Sequence, residues 1–239
     1  MSFTVVERTS STMDLARCYD GSAGFPHWIL AKVQDQARGR RGRLWIGNKE
    51  SFAATLIMKP KCTPLIASQY SFVAACALFR SLGKYVDVTQ LAQKWPNDVL
   101  LNGGKVAGIL LESSGTGHSV DRLSIGVGVN LGSAPKNVKK ANFVPVGLSD
   151  VIGKSIRPEE FLENLAYNFN LSEQNFKKYG FVKICEEWTG QACRLGEVIT
   201  AHTGKEEYQG QFEGIDANGN LVLLTSSGKR VIPSADVCF

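Results

Sequence analysis

Residues 34–45 read QDQARGRRGRLW, with Arg38, Arg40, Arg41 and Arg43 interspersed with Gly39 and Gly42. Arginine presents a fixed fork of donors that matches phosphate and carboxylate oxygens, and glycine lets a backbone approach a ligand closely. Such a loop can wrap an acidic group from several sides. The same composition also fits a solvated basic turn or an arginine-rich nucleic-acid segment. The chain holds 27 Lys and Arg against 22 Asp and Glu, a net charge of +5, and four of the positive charges lie in this loop. The positive field is therefore local, as for one anionic ligand rather than a surface coated for nucleic acid.

Two further stretches carry residue types suited to a ligand. In KWPNDVLLNGGKVAGILLE (94–112), a hairpin brings Lys94 towards Lys105, and Asn97-Asp98 supply polar groups between them. Any one such lysine is better explained by a solvated strand end. In GVGVN (126–130), Gly126 and Gly128 share one face of a strand and leave it bare for a flat ring. Taken alone, those glycines are better explained by a bulge or tight strand packing, and no third glycine opens a helix to complete a dinucleotide fingerprint.

The elements that must hold these stretches follow from periodicity and punctuation. Strands are expected at 3–7, 27–34, 52–60 and 123–132, and a strand, turn and strand over 91–113 with Asn102-Gly103-Gly104 at the turn. Helices are expected from Ser10 or Ser11, over 65–83 with Gly83 as the stop, and over 157–180 between Pro158 and Gly180. Beyond Thr189-Gly190 the pattern changes to short strands (198–202, 208–216, 220–225, 230–234) separated by turn dipeptides, as in a small β-barrel of SH3-like size. Mixed strands and helices without strict alternation imply an α+β main domain with a largely antiparallel or mixed sheet.

The six cysteines are scattered without a C-x-x-C pair or a neighbouring histidine, which excludes a zinc-finger pattern. MSFTVVERTS lacks the features of a signal peptide, and the apolar runs fall short of a membrane span. A soluble protein of the reducing cytoplasm is expected.

Taken in order, S-T-M (11–13), Q-x-x-A-R-G-R-R-G-R-x-W (34–45), K-W-P-N-D-V (94–99), G-K-V-A-G-I-L-L-E (104–112) and G-V-G-V-N (126–130) closely resemble the catalytic core of biotin–protein ligases. The later helix and small β-domain fit that family too. The resemblance implies a biotin–lipoate ligase catalytic domain, of class II aminoacyl-tRNA synthetase-like fold, over 1–189 and an SH3-like barrel over 190–239. It implies two substrates, biotin and ATP, joined as biotinyl-5′-AMP before a lysine of a biotin carboxyl carrier domain attacks. Mg2+ is expected with ATP, without a protein ligand that can be named.

By motif position, the resemblance gives the biotin pocket Ser11, Thr12, Met13 and Gln34, with a hydroxyl of Ser11 or Thr12 on the ureido group. Arg38, Gly39 and Arg40 would close over biotin and its activated carboxyl. Arg40, Arg41 and Arg43 would meet the phosphates, and Trp45 would serve as adenine platform or lid. Lys105 is the implied catalytic cation, Asp98 orients the acceptor amine, and Lys94 adds positive potential. Gly108 would approach biotin through its backbone, Gly126 and Gly128 would form the bare wall, and Asn97 and Asn130 would contact the nucleotide.

The family usually opens the arginine loop with glycine, where Ala37 stands here. If that position needs a positive φ, alanine is strained by about 1 kcal/mol. The loop is expected to be disordered until it closes on the adenylate. Ten residues before Ser11 are too few for the DNA-binding domain that some family members carry, so ligase activity without operator binding is expected, in a monomer or homodimer. The rivals are a lipoate–protein ligase or octanoyltransferase of related fold, and a nucleic-acid-binding module using residues 38–43.

Overall fold

The computed structural model describes residues 2–47, 50–135, 144–204 and 206–239. Its strands and helices are, in chain order, β1 (Ser2–Thr9), α1 (Thr12–Cys18), β2 (His27–Gln34), β3 (Phe52–Met58), α2 (Pro64–Leu82), β4 (Leu91–Lys94), β5 (Asp98–Leu101), β6 (Gly104–Ser114), β7 (Arg122–Val129), α3 (Leu148–Ile152), α4 (Pro158–Tyr179) and α5 (Phe181–Gly190). Then come β8 (Val198–His202), β9 (Glu207–Ile215), β10 (Leu221–Thr225), β11 (Gly228–Ile232) and β12 (Asp236–Cys238). Strands β1 to β7 form one mixed sheet in the order β1-β2-β3-β7-β6-β5-β4, parallel only between β1 and β2.

The two faces of this sheet are dressed differently. On one, Ala54, Leu56 and Met58 of β3 join α2, α4 and α5 in the main core. Edge-to-face aromatic pairs such as Phe52–Phe161 and Trp28–Phe169 lock helix α4 to the strands. On the other face, Ile29 and Ile57 meet Ala16 of the short helix α1. Beyond α1 the sheet is left open, and the arginine loop and the glycine strands face each other there.

Helix α1 starts where its sequence dictates, with Ser11 accepting a hydrogen bond from Met13 N–H as N-cap. Helix α2 is apolar nearly all round, because it is buried between the sheet and helices α4 and α5. By length and composition it is apolar enough to cross a membrane, contrary to the expectation that no run reaches that length, yet most of it lies in the core.

The segment 91–113 is three strands rather than two. The turn Trp95-Pro96-Asn97, with a cis Trp95–Pro96 peptide, separates β4 from β5, and left-handed Asn102 and Gly103 separate β5 from β6. The extra turn matters, because it puts Asn97 and Asp98 opposite Gly108 and Ile109. Helix α5 lies outside the expected elements, because its pattern continues from α4 after Gly180, where φ is 72°.

Strands β8 to β12 form an antiparallel sheet in the order β11-β10-β9-β8-β12. It is seated on the main body. Trp95 Nε1 donates to Gly219 O at 3.0 Å, Gln69 Nε2 donates to Ala217 O at 3.1 Å, and a Cβ at Gly219 would come within 2.5 Å of the Phe72 ring. Strand β12, missing from the sequence expectation, carries Asp236 to the open face of the large sheet.

Candidate active site

A cavity of about 750 Å³ lies on that open face, walled by α1, the arginine loop, β6, β7, the Trp95–Asp98 turn and the start of β12. Every site residue expected from the sequence lines it. Three groups of contacts define what it can bind.

The arginine loop folds back on itself. Arg38 and Leu44 form a bridge, Gly39 N–H donates to Arg43 O at 2.7 Å, and Trp45 N–H donates to Ala37 O at 2.9 Å. The left-handed positions are Arg41 (φ 56°) and Gly42 (φ 71°); Ala37 is buried and has no positive φ. The strain anticipated at Ala37 is therefore absent, because the tight turn falls four residues later. Carboxylates hold the loop at both ends. Arg38 pairs with Asp14 at 2.8 Å and Glu112 at 3.2 Å, and Arg41 and Arg43 both pair with Asp236 of β12.

Those pairs set the charges. The hydrogen bond from Arg38 holds the Asp14 carboxyl below its usual range. Burial alone would raise Asp236, but the Arg43 hydrogen bond and the charges of Arg43, Arg41 and Arg40 outweigh it and hold that carboxyl below its ordinary value. Arg40 is different. It is half-buried and its Nη1 reaches Asn97 Oδ1 at 3.4 Å, with no carboxylate in ion-pairing range among the described residues. Burial pushes its pKa down, and neighbouring Arg41 adds to that. The charges of Asp236 and Asp98 act on it only from a distance, and a half-buried cation in no direct ion pair is a seat for an anion.

The second group closes the far end of the cavity. Gln34 Oε1 accepts from Thr12 N–H at 2.6 Å and from Thr12 Oγ1 at 3.0 Å. Ser11 Oγ accepts from Met13 N–H at 3.2 Å and from Arg38 Nη1 at 3.4 Å. The Gln34 amide NH2 and the Ser11 hydroxyl hydrogen are what remain, and both are donors. Of the two hydroxyls expected to suit the ureido group, Ser11 or Thr12, that of Thr12 is already engaged on both sides, because it also accepts from Thr55 at 2.8 Å.

The third group is the floor. Gly108 and Gly128 are cross-strand partners on β6 and β7, and their missing side chains leave the bare patch anticipated for a ring. Trp45 lies on it: a Cβ at Gly128 would come within 2.8 Å of the indole and one at Gly108 within 3.1 Å. At Gly126 the space is taken by Met13 Sδ, 2.8 Å from an added Cβ, so this glycine admits a protein side chain. Lys105 Nζ sits 2.7 Å from Asp98 Oδ1 and 5.4 Å from the Trp45 ring. Lys94 is buried, which lowers its pKa; Asp98 opposes the shift and Lys105 adds to it, so the two lysines are neighbours as expected. Asn130 Nδ2 donates to Lys105 O and Val146 O, while its buried Oδ1 has no partner among the described residues.

Sequence reasoning missed Asp14, Glu112 and Asp236 as partners of the loop. Glu112 ends a recognised motif and Asp14 follows another, so both were within reach. Asp236 lies 193 residues from Arg43, in a stretch without a motif. No group of three or more His, Cys, Asp or Glu able to hold a metal occurs among the described residues. Asp98 and Asp236 are each engaged by cations, so the cavity's donor set does not fit a dedicated site for Mg2+.

The mixed sheet with its open face, arginine loop and paired-glycine floor is that of a ligase. The chain belongs to the biotin/lipoate A/B protein ligase family, whose model matches residues 5–130. The biotin protein ligase C-terminal domain matches residues 195–239. The chain is 47% identical to a biotin–acetyl-CoA-carboxylase ligase of Paracoccus denitrificans, over 98% of this chain and 99% of that one. It is 28% identical to the bifunctional ligase/repressor BirA of Bacillus subtilis over 87% of this chain, and there spans 65% of the longer protein. In fold it matches the biotin protein ligase of Aquifex aeolicus solved with biotin and ATP, with a TM-score of 0.82 at 22% identity, covering 99% of this chain and 97% of that one.

Proposed function

We propose that this chain joins biotin and ATP into biotinyl-5′-AMP and then biotinylates a lysine of a biotin carboxyl carrier domain of a carboxylase. In the first step a biotin carboxylate oxygen bonds to the α-phosphorus and pyrophosphate leaves. In the second, the acceptor amine attacks the acyl carbon, AMP leaves and the amine loses a proton. The enzyme forms no covalent bond; it positions reactants and stabilises charge.

One observation carries the choice of biotin: the closed end of the cavity offers two donors, Gln34 NH2 and the Ser11 hydroxyl, and so suits a urea oxygen. The dithiolane ring or alkyl chain of the lipoate and octanoate alternatives has no such acceptor, and would leave both donors unpaired. Arg40 and Lys105 then take the activated carboxyl and the phosphate, and the Asn130 carbonyl oxygen suits the amino group of adenine. The phosphates and water supply most of the shell of any Mg2+ that accompanies ATP. In this reading residues 1–189 are the catalytic unit and 190–239 latch its loop through Asp236. None of the six cysteines is in a disulfide.

Radiolabelled biotin and lipoate, each supplied with ATP and a carrier domain, test the reading. Label is expected on the carrier from biotin alone; incorporation of lipoate in its place overturns it. The latch has its own test. Asp236→Asn is expected to raise escape of biotinyl-5′-AMP about two- to fivefold, as for the loss of partly exposed ion pairs. Escape is measured as labelling of a bystander protein, and an unchanged level refutes the latch.

A further inference from the structure

Strand β3 reads FAATLIM, apolar along its length except for Thr55, whose side chain is fully buried at the centre of the sheet. Thr55 is flanked by Ile29 on β2 and Gly126 on β7, and it lies outside the cavity lining. A buried hydroxyl needs a partner. Its partner is Thr12 Oγ1 at 2.8 Å, and Thr12 in turn reaches Gln34.

The directions in this chain of hydrogen bonds are forced. The Thr12 N–H can only donate, and it lies 2.6 Å from one end of the Gln34 amide, so that end is the oxygen. That oxygen carries no hydrogen, so the Thr12 hydroxyl spends its single proton on it at 3.0 Å. Thr12 Oγ1 can then only accept, and Thr55 is the donor. The sequence of donations ends with the Gln34 NH2 as the group left for a ligand.

We infer that Thr55 is a positioning residue for recognition of a urea oxygen: from behind the pocket, through the Thr12 hydroxyl, it supports the second of the two hydrogen bonds that hold the polarity of Gln34. Its donated hydrogen holds the Thr12 hydroxyl towards the Gln34 oxygen. Without it, the Thr12 hydroxyl can turn its hydrogen away from Gln34 Oε1, and the Thr12 N–H alone is left to hold the amide with its NH2 towards the ligand. This inference rests on the biotin reading above.

The test compares biotin affinity in the unaltered chain, Thr55→Val and Thr55→Ser, each also in a Gln34→Ala background. Thr55→Val is expected to raise the biotin Kd and KM about five- to tenfold, the effect of one buried hydrogen bond. The ATP KM, and kcat at saturating biotin, should stay within about twofold, and Thr55→Ser should restore affinity. In the Gln34→Ala background, Thr55→Val should add nothing further. Unchanged affinity in Thr55→Val, or equal weakening in both backgrounds, overturns the inference. If Thr55→Val does not fold, Thr55→Ala carries the same comparison, with the melting midpoint recorded for each variant. Failure of the unaltered chain to bind biotin sinks the function reading itself, whereas binding that is indifferent to Thr55 sinks only this inference.

Discussion

Lys105→Ala is expected to lower the rate of biotinyl-5′-AMP formation by about 10²–10³, the usual loss when a directed charge-stabilising donor is removed. The argument starts from position. Lys105 follows the tight Asn102-Gly103 turn at the start of β6, so its backbone is fixed by pairing with β5. Its ammonium is held between the Asp98 carboxylate at 2.7 Å and the Trp45 face at 5.4 Å, inside the cavity. Charge develops on the phosphorus oxygens as the biotin carboxylate attacks, and a cation already inside the cavity needs only to swing from Asp98 to meet it.

Asp98→Ala should behave differently, retaining more adenylate formation and losing transfer. An acceptor lysine has an ordinary pKa of about 10.4, so at neutral pH it arrives protonated and needs a carboxylate to receive it. Asp98 can do this once the substrate anions draw Lys105 towards themselves. Pyrophosphate release measures the first step, and single-turnover transfer from preformed biotinyl-5′-AMP the second. A normal rate of pyrophosphate release by Lys105→Ala would remove Lys105 from its proposed role.

How much of this was legible in the chain depends on the range of the interaction. Strands such as HWILAKVQ and helices such as 158–179 are written locally, in alternation, caps and proline or glycine stops. The cavity's membership was legible too, because motifs carried Ser11, Gln34, Arg40, Lys105 and Gly128 to one place. What the motifs did not carry is pairing. Whether an arginine is free or neutralised depends on which carboxylate the fold brings to it, and Asp236 arrives from a strand at the far end of the chain. Trp45 was read as a platform, but that it rests on the Gly108–Gly128 patch follows only from the register of β6 with β7. Thr55 is the one hydroxyl in a stretch read only as a buried strand; its meaning required Thr12, at the start of α1, to be seen against it.

The same distinction ranks the loop arginines, and it makes Arg40→Ala the second large effect expected. Arg38 is spent on Asp14 and Glu112, and Arg41 and Arg43 on Asp236, so replacing any of these first breaks an existing ion pair. Arg40 has only a long hydrogen bond to Asn97 to lose in the absence of ligand. Its desolvation is already met in folding, and a bound phosphate would recover that penalty through charge-assisted hydrogen bonds. Such bonds contribute about 1.5–3 kcal/mol each, so their loss should speed escape of biotinyl-5′-AMP by about 10–100-fold. The released anhydride would then label lysines of a bystander protein. Arg38→Ala should also leak, but less, because its guanidinium is already committed to two carboxylates. Escape can be followed as biotin on an added inert protein, with adenylate formation measured in parallel by pyrophosphate release. If Arg40→Ala retains its adenylate as well as the unaltered chain does, the unpaired guanidinium is not the phosphate seat, and the loop holds the intermediate through its carboxylate-anchored ends alone.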